Sequence, residues 1–429
     1  MIKKITIIKY HIKKIYISFY RKYQVSITLK YIIPISICIW GILGMSWVAE
    51  SNWNILISIV AGLLFAKLTE LFKEVIYYKM ENWQKIKNFA VQYADTYRYE
   101  IFFSQNKVIG YYDSVFTIKN ENENSYIEIE DFEKKYFVLD SLIQNNYISL
   151  LHAHRNDYIK NYKCVRLDDY EIDFVSNHVK LITSRAKCFD HLATNFAMDY
   201  KMEKGMTLRD IYEYQSILTP LCKSKMANVL GINALVFLSD GILLMPLRGA
   251  RATISKHMLT SSIALGCFWE NRKNDEKLKI EDIMEGFVCT GLIERLHLKK
   301  SVLEDKLYQI HFLGFGRDVY WGGKPQLYYY VTLQMNSKEY LIKSQHDKKN
   351  EKFDQDSEIL LVQSFDVLND SGDLKLRCIR KKKLIETNSY KFYSKSAKAE
   401  DSFFNNCLHF SKYSFEGQEE NWLKNMIMN

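Results

Sequence analysis

Two uncharged runs near the start of the chain limit its fold more than any other feature. Between Lys30 and Glu50 stand nineteen residues without a formal charge, YIIPISICIWGILGMSWVA, and between Glu50 and Lys67 sixteen more, SNWNILISIVAGLLFA. A membrane-spanning helix needs about 20 apolar residues. The first run suffices, and the second does so if it continues through Leu68 and Leu71 with Lys67 snorkelling to the interface. The sequence therefore predicts two transmembrane helices over residues 31–71, against the alternative of a buried helical hairpin in a soluble core. Eight Lys or Arg and no acid precede the first span, and Lys67, Lys73, Lys79, Lys85 and Lys87 follow the second, whereas the intervening turn holds only Glu50. Cations on both outer flanks place both termini in the cytoplasm, and Trp47 and Trp53 bracket the turn at headgroup level. The charged prelude is too long for a removable signal peptide, and no small-residue cleavage site follows the first run.

Ser58, Gly62 and Ala66 recur every four residues along the second span. Such a strip of small side chains lets another helix backbone approach closely. It serves association between protomers or packing against the first span equally well. Pro34 either kinks the first span or caps its start.

The net charge of +9 resembles a nucleic-acid signal until it is mapped. Residues 1–30 supply +8 of it, so the remaining 399 residues sum to +1. A near-neutral body lacks the broad basic face that a phosphate backbone demands, which argues against DNA or RNA duplex as partner. A short basic arm suits an anionic membrane surface better. The eight cysteines (Cys38, Cys164, Cys188, Cys222, Cys267, Cys289, Cys378, Cys407) form no CxxC pair, a spacing expected of free thiols in a reducing compartment. His152 and His154, two apart, would share one face of a strand. Without cysteines or carboxylates nearby they read as surface residues rather than metal ligands.

The expected organisation is a basic arm over 1–30, the two spans over 31–71, a stalk helix and connector over 72–118, an accessory α/β subdomain over 119–224, and a sensing domain over 225–429. No proline occurs from residue 35 to residue 219, and helical spacing persists over 68–100. KNENENS (119–125) reads as a loop and 176–200 as a helix. NALVFLSDGILLMPL is two apolar runs around Ser239, Asp240 and Gly241, a hairpin signal. YQIHFLGFGRD (308–318) and LYYYVTL (327–333) read as strands around VYWGGKP, and Tyr328, Tyr329 and Tyr330 as sheet packing. Between them Ile280, Ile283, Met284, Phe287 and Val288 share one helical face, with Gly291 placed as a C-terminal cap. Residues 344–358 read as a charged excursion. The fold class is α+β: a mixed sheet with helices packed on it, behind a two-helix transmembrane hairpin.

IEDIMEGFVCTGL, residues 280–292, resembles the hallmark helix of the NUDIX hydrolases stripped of its acids. That helix carries Gly, five residues, Glu, seven residues, Arg-Glu, an aliphatic, any residue, Glu-Glu, any residue, Gly and an aliphatic. Anchored on Gly291 and Leu292, the Arg-Glu pair falls on Met284 and Glu285, the Glu-Glu pair on Val288 and Cys289, and the earlier acid on Glu276. The opening glycine is displaced to Gly266 by an insertion through WENRKNDE. Magnesium in phosphate sites is held by hard carboxylate oxygens. Valine cannot coordinate it and a cysteine sulfur matches it poorly. The NUDIX resemblance covers about residues 225–390. With the paired spans, the whole chain resembles the two-transmembrane NUDIX effectors of cyclic-oligonucleotide-based antiphage signalling systems (CBASS).

That resemblance implies a sensor at the bacterial inner membrane. Such a sensor binds a cyclic oligonucleotide messenger and oligomerises to disrupt the bilayer; the acids missing from the helix point to binding in place of hydrolysis, without excluding residual hydrolysis, and no cofactor or metal is expected. A cyclic oligonucleotide presents phosphodiesters and flat bases, so its pocket calls for cations beside aromatic faces. Arg248, Arg251, Arg317 and Lys324 are the candidate cations, and Trp269, Tyr320 and Trp321 the candidate stacking rings. Each taken alone reads equally as a surface cation or rim aromatic, and Asp318 as the neighbour that ties down Arg317. The alternatives are a membrane-anchored pyrophosphohydrolase of nucleoside diphosphate derivatives that borrows carboxylates from outside the helix, and a tethered protein-interaction module. On the leading reading the full chain fractionates with membranes and needs detergent for release. A chain recovered in the soluble fraction without detergent contradicts the predicted spans.

Overall fold

A computed structural model describes residues 100–104, 107–117, 126–152, 161–173, 175–176, 178–200, 202, 206–213, 218–249, 252, 254–267, 280–299, 304–305, 307–344, 357–368 and 373–412. The predicted spans lie outside these residues, together with their strip Ser58, Gly62 and Ala66, the helical part of the expected stalk, and the expected loop 119–125. No helix among the described residues is long and apolar enough to cross a membrane.

The described chain is α+β, with fourteen strands and seven α-helices. In chain order they are β1 (Glu100–Ser104), β2 (Lys107–Thr117), β3 (Tyr126–Tyr136), α1 (Ser141–His152), β4 (Lys163–Asp173), β5 (His178–Lys187), α2 (Cys188–Leu192), α3 (Leu208–Tyr212), β6 (Gly231–Leu238), β7 (Leu243–Leu247), β8 (Met258–Leu259), β9 (Ile263–Gly266), α4 (Ile280–Glu294), β10 (Tyr308–Asp318), β11 (Lys324–Leu333), α5 (Ser337–Lys343), β12 (Glu358–Val367), β13 (Asp373–Ile379), α6 (Lys381–Thr387), β14 (Phe392–Ala399) and α7 (Asp401–Lys412).

Eleven strands form one large sheet in the order β1-β2-β10-β11-β6-β7-β12-β13-β14-β8, with β9 against β6. Because β8 also pairs with β7, the strands β7, β12, β13, β14 and β8 close into a ring. At the centre β6, GINALVFL, is buried at every position. It runs parallel to β11 and antiparallel to β7 and β9, as a continuous apolar strand should when covered on both faces. Ser239, Asp240 and Gly241 join β6 to β7, with Gly241 at φ +79°, the left-handed region that glycine enters without steric penalty. The expected hairpin is therefore present. So is the β10–β11 pair, in which Tyr328, Tyr329 and Tyr330 are all buried in the core.

A second sheet, ordered β3-β5-β4, carries the accessory region. Three backbone bonds join it to the segments that flank β6 and β9 of the large sheet: Val165 N–H to Cys267 O at 2.9 Å, Leu230 N–H to Val165 O at 3.0 Å, and Leu167 N–H to Asn228 O at 3.1 Å. Residues 176–200, read above as one helix, instead form strand β5 and then the short α2. HVKLITSRAK buries Val179, Leu181, Thr183 and Arg185 on alternate positions, and its β-branched residues favour a pleated surface over a helix. His152 ends a helix rather than lying on a strand. Residues 100–117, expected within a connector, form a hairpin, and β2 continues the large sheet beyond β10.

Helix α4 packs on β9 and β3. Val288 and Leu292 are buried along it, and Leu296 just past its end. Gly291 does not cap this helix, which runs on to Glu294; it lies inside it, where a Cβ would overlap the side chain of Ile263. Close approach to β9, and not termination, is what requires glycine there. Gly291→Ala therefore lowers the melting temperature, even though alanine gains about 1 kcal/mol of helix propensity, because overpacking costs about 1–3 kcal/mol. Pairing it with Ile263→Ala recovers part of the loss attributed to overlap, which a double-mutant thermal-denaturation cycle measures.

Candidate functional site

Strand β10 ends at Asp318 and β11 begins at Lys324. Trp321 N–H to Asp318 O (3.2 Å), Gly322 N–H to Val319 O (3.1 Å) and Gly323 N–H to Asp318 O (2.8 Å) shape the turn between them. Gly322 and Gly323 stand at φ +61° and +76°, which only glycine adopts cheaply. Side chains would also overlap Met198 at the first position and Arg317 at the second.

Groups from the accessory region hold this turn from beneath. Thr207 and Asp210 form a capping box at the start of α3, with Asp210 N–H to Thr207 Oγ1 at 3.1 Å and Thr207 N–H to Asp210 Oδ2 at 2.8 Å. The next-to-last residue of that box, Arg209, is fully buried. Its Nε and Nη2 meet Asp199 Oδ1 and Oδ2 at 2.7 and 2.9 Å. The same guanidinium donates to the carbonyls of Val319 (3.0 Å) and Tyr320 (2.5 Å). Asn195 Nδ2 donates to Trp321 O at 2.9 Å, while its Oδ1 accepts from Asn228 N–H at 2.9 Å. Asn228 sits at φ +42°, a conformation that asparagine tolerates better than most residues.

The structure brings several of the expected ligand residues together around this turn. Lys324 is buried. Its Nζ lies 5.6 Å from the centroid of the Phe196 ring, and a Cβ on Gly231 would stand 2.8 Å from it. Burial pulls the Lys324 ammonium down to about 8, against the opposing fields of Asp318, Glu400 and Cys267; the Arg248 charge pulls it down further. Arg248, just past β7, has Nη1 3.4 Å from Glu400 Oε1 and donates to Ile254 O at 3.1 Å. Glu400 immediately precedes α7, and its amide bonds Leu259 O at 2.9 Å. Tyr320 is buried and meets Trp321 edge-on at 4.9 Å, and Trp321 meets Phe196 edge-on at 4.8 Å.

Arg317, also an expected ligand cation, stands in β10 just before Asp318. It is buried, and its Nε and Nη2 donate to the carbonyls of Gly323 (3.3 Å) and Thr219 (2.8 Å), so it braces the turn. Arg251, Trp269 and Glu276 lie outside the described residues, as do the side chains of Met284 and Glu285. Val288 is buried in the core, and Cys289 Sγ lies 3.4 Å from Tyr308 Oη. Gly291 packs on β9, as described above. Among the described residues no three His, Cys, Asp or Glu side chains converge on one point that would hold a metal ion.

Arg209, Asp199, Asn195 and Glu400 were not legible as site residues. The TLRD capping box marks a helix start, but nothing local shows that its arginine turns inward toward a strand turn more than 100 residues away. No family model matches the chain, and comparison with curated proteins finds no match.

Arg209→Met leaves Asp199 buried without its counter-ion and two carbonyls without a donor. Removing one partner of a buried pair costs about 3–5 kcal/mol, which chemical denaturation will register as a lowered midpoint. A loss under about 1 kcal/mol would place the weight of the turn elsewhere.

Proposed function

We propose that the chain is a ligand-gated membrane effector, similar to the two-transmembrane NUDIX effectors of CBASS, in which a cyclic oligonucleotide occupies the cytoplasmic unit and drives assembly of the predicted spans. The observation that carries this reading is Lys324: a buried ammonium beside Arg248 and two carboxylates, at a turn that also bears Tyr320 and Trp321. Desolvated cations beside aromatic edges are what a phosphodiester with attached bases requires. In the resting arrangement Asp318 and Glu400 balance these cations. A bound phosphate competes with Glu400 for Arg248 and Lys324. Glu400 leads into α7, which packs across β2, β6, β10, β11 and β1, and β1 is the described strand nearest in sequence to the predicted spans. Ligand exchange at Glu400 thus acts on the helix that covers the β1–β2 hairpin.

Such a ligand shifts the assembled population only by its differential affinity for the two states. What supports binding without hydrolysis is the composition of α4. Where the NUDIX resemblance places magnesium-holding carboxylates, Val288 is packed in the core and Cys289 lies against Tyr308.

Protonated Lys324 is the form that pairs with phosphate, and its proton is lost as pH rises through about 8. Affinity for a cyclic oligonucleotide therefore falls across the unit of pH on either side of that value. Lys324→Met weakens binding at neutral pH by about tenfold or more, the scale of one lost charge-assisted contact. Calorimetric titration of the detergent-solubilised chain reads both, and dye release from proteoliposomes reads the coupled response. Binding that is flat in pH and indifferent to Lys324→Met removes the turn from the ligand site.

A further inference from the structure

The near-neutral charge of residues 31–429 hides a concentrated basic face. Residues 373–399 carry nine Lys or Arg against Asp373 and Glu386 alone, so the other residues of that +1 body are net acidic. The fold turns six of the nine outward; Lys381, Lys395 and Lys398 are half-buried, and Lys395 pairs with Glu358. Strand β13 buries Leu374, Leu376 and Cys378 and exposes Lys375 and Arg377 between them. Arg380 is exposed, and α6 buries Leu384 while presenting Lys382 and Lys383, the former side chain 87% accessible. Lys391 follows on the surface.

Large aliphatic side chains stand among these cations. Ile385 on α6 is 45% exposed and Ile342 on α5 is 59% exposed. The two helices are neighbours, and Lys338 Nζ of α5 bonds Asn388 Oδ1 just past α6. Tyr390 Oη donates to Asp240 Oδ2, which also accepts from Ser337 N–H at 2.9 Å and Ser337 Oγ at 2.5 Å. The elements α5, α6 and the approach to β14 therefore adjoin; the exposed acids Asp240, Glu339 and Glu386 stand among their cations, Glu386 3.9 Å from both Lys382 and Lys383.

We infer that this face docks on an anionic lipid bilayer. Lysines surrounding exposed aliphatics form the pattern of interfacial membrane binding: the cations meet lipid phosphates and the aliphatic tips enter the acyl boundary. Single-stranded nucleic acid would instead need open aromatic faces for its bases. Here the Phe392 ring already has Arg377 over it at 4.3 Å and Tyr390 stacked at 6.0 Å; Tyr390 is a single exposed ring, and the isoleucines offer no stacking surface. The face lies apart from the Lys324 turn and does not depend on the ligand reading.

The test uses the full chain in nanodiscs of phosphatidylcholine with and without phosphatidylglycerol, footprinted with an acetylating reagent and read by mass spectrometry. Anionic discs slow labelling of Lys382, Lys383 and Lys391 by roughly fivefold or more relative to neutral discs, the scale of one basic residue's attraction to an anionic leaflet. Exposed Lys163 on β4 labels equally in both. High salt, which shortens screening to about 3 Å at 1 M, restores labelling. The exposed triple variant Lys382→Glu, Lys383→Glu, Ile385→Ser abolishes the protection of Lys391 with an unchanged melting temperature. Equal labelling on both discs overturns the proposal, as does equal slowing of Lys163. Stronger protection by added single-stranded RNA or an acidic peptide than by anionic lipid also overturns it, assigning the face to that partner.

Discussion

The buried ion pair of Arg209 with Asp199 is the contact on which the β10–β11 turn depends, because one guanidinium satisfies a carboxylate and two main-chain carbonyls that water does not reach. Desolvating such a pair is expensive and stabilises little by itself. Its value lies in geometry: a planar donor fork fixes the directions of the groups it bonds. Asn195 and Arg317 repeat this from two other sides, each tying a turn carbonyl to a distant segment. The accessory region is therefore a foundation for the turn and not an appendage to the large sheet.

With the turn held, Lys324 is forced into a place where its charge is unfavourable. Burial depresses its proton affinity, and Asp318 and Glu400 keep it cationic near neutral pH. Arg248 shares Glu400 with it. On the proposed function, an incoming anion replaces a carboxylate of this set without leaving a buried cation alone. Glu400 adjoins α7, whose Phe403, Phe404, Cys407 and Phe410 are packed in the main core. On that proposal, exchange at the turn reaches the β1–β2 hairpin through this one helix.

Much of the central architecture was legible because its signals are local. The SDG turn marked the β6–β7 hairpin, and the paired glycines marked the β10–β11 turn. Tyr320, Trp321 and Lys324 lie together because they share one strand turn, whereas Arg248 reaches the same group of charges from just past β7. Other elements left weaker marks. Residues 178–187 carry an alternation that fits a strand, but it is interrupted by the buried Ser184 and Ala186; β4 precedes it as the other arm of a hairpin, while its second neighbour, β3, comes from a more distant segment. The ring closed by β8 rests on two residues paired to two different strands, which leaves almost no pattern. Gly291 was misread because glycine serves both helix ends and close helix–strand contacts, and only the position of Ile263 distinguishes them.

On the proposed function the Lys324 turn holds a phosphodiester ligand without consuming it, and mass spectrometry of nucleotides released on denaturing the purified chain is the decisive measurement. An intact cyclic oligonucleotide is then released from the wild-type chain and absent from Lys324→Met of equal melting temperature. A wild-type chain that carries only linear cleavage products, or that retains as much nucleotide after Lys324→Met, would contradict it.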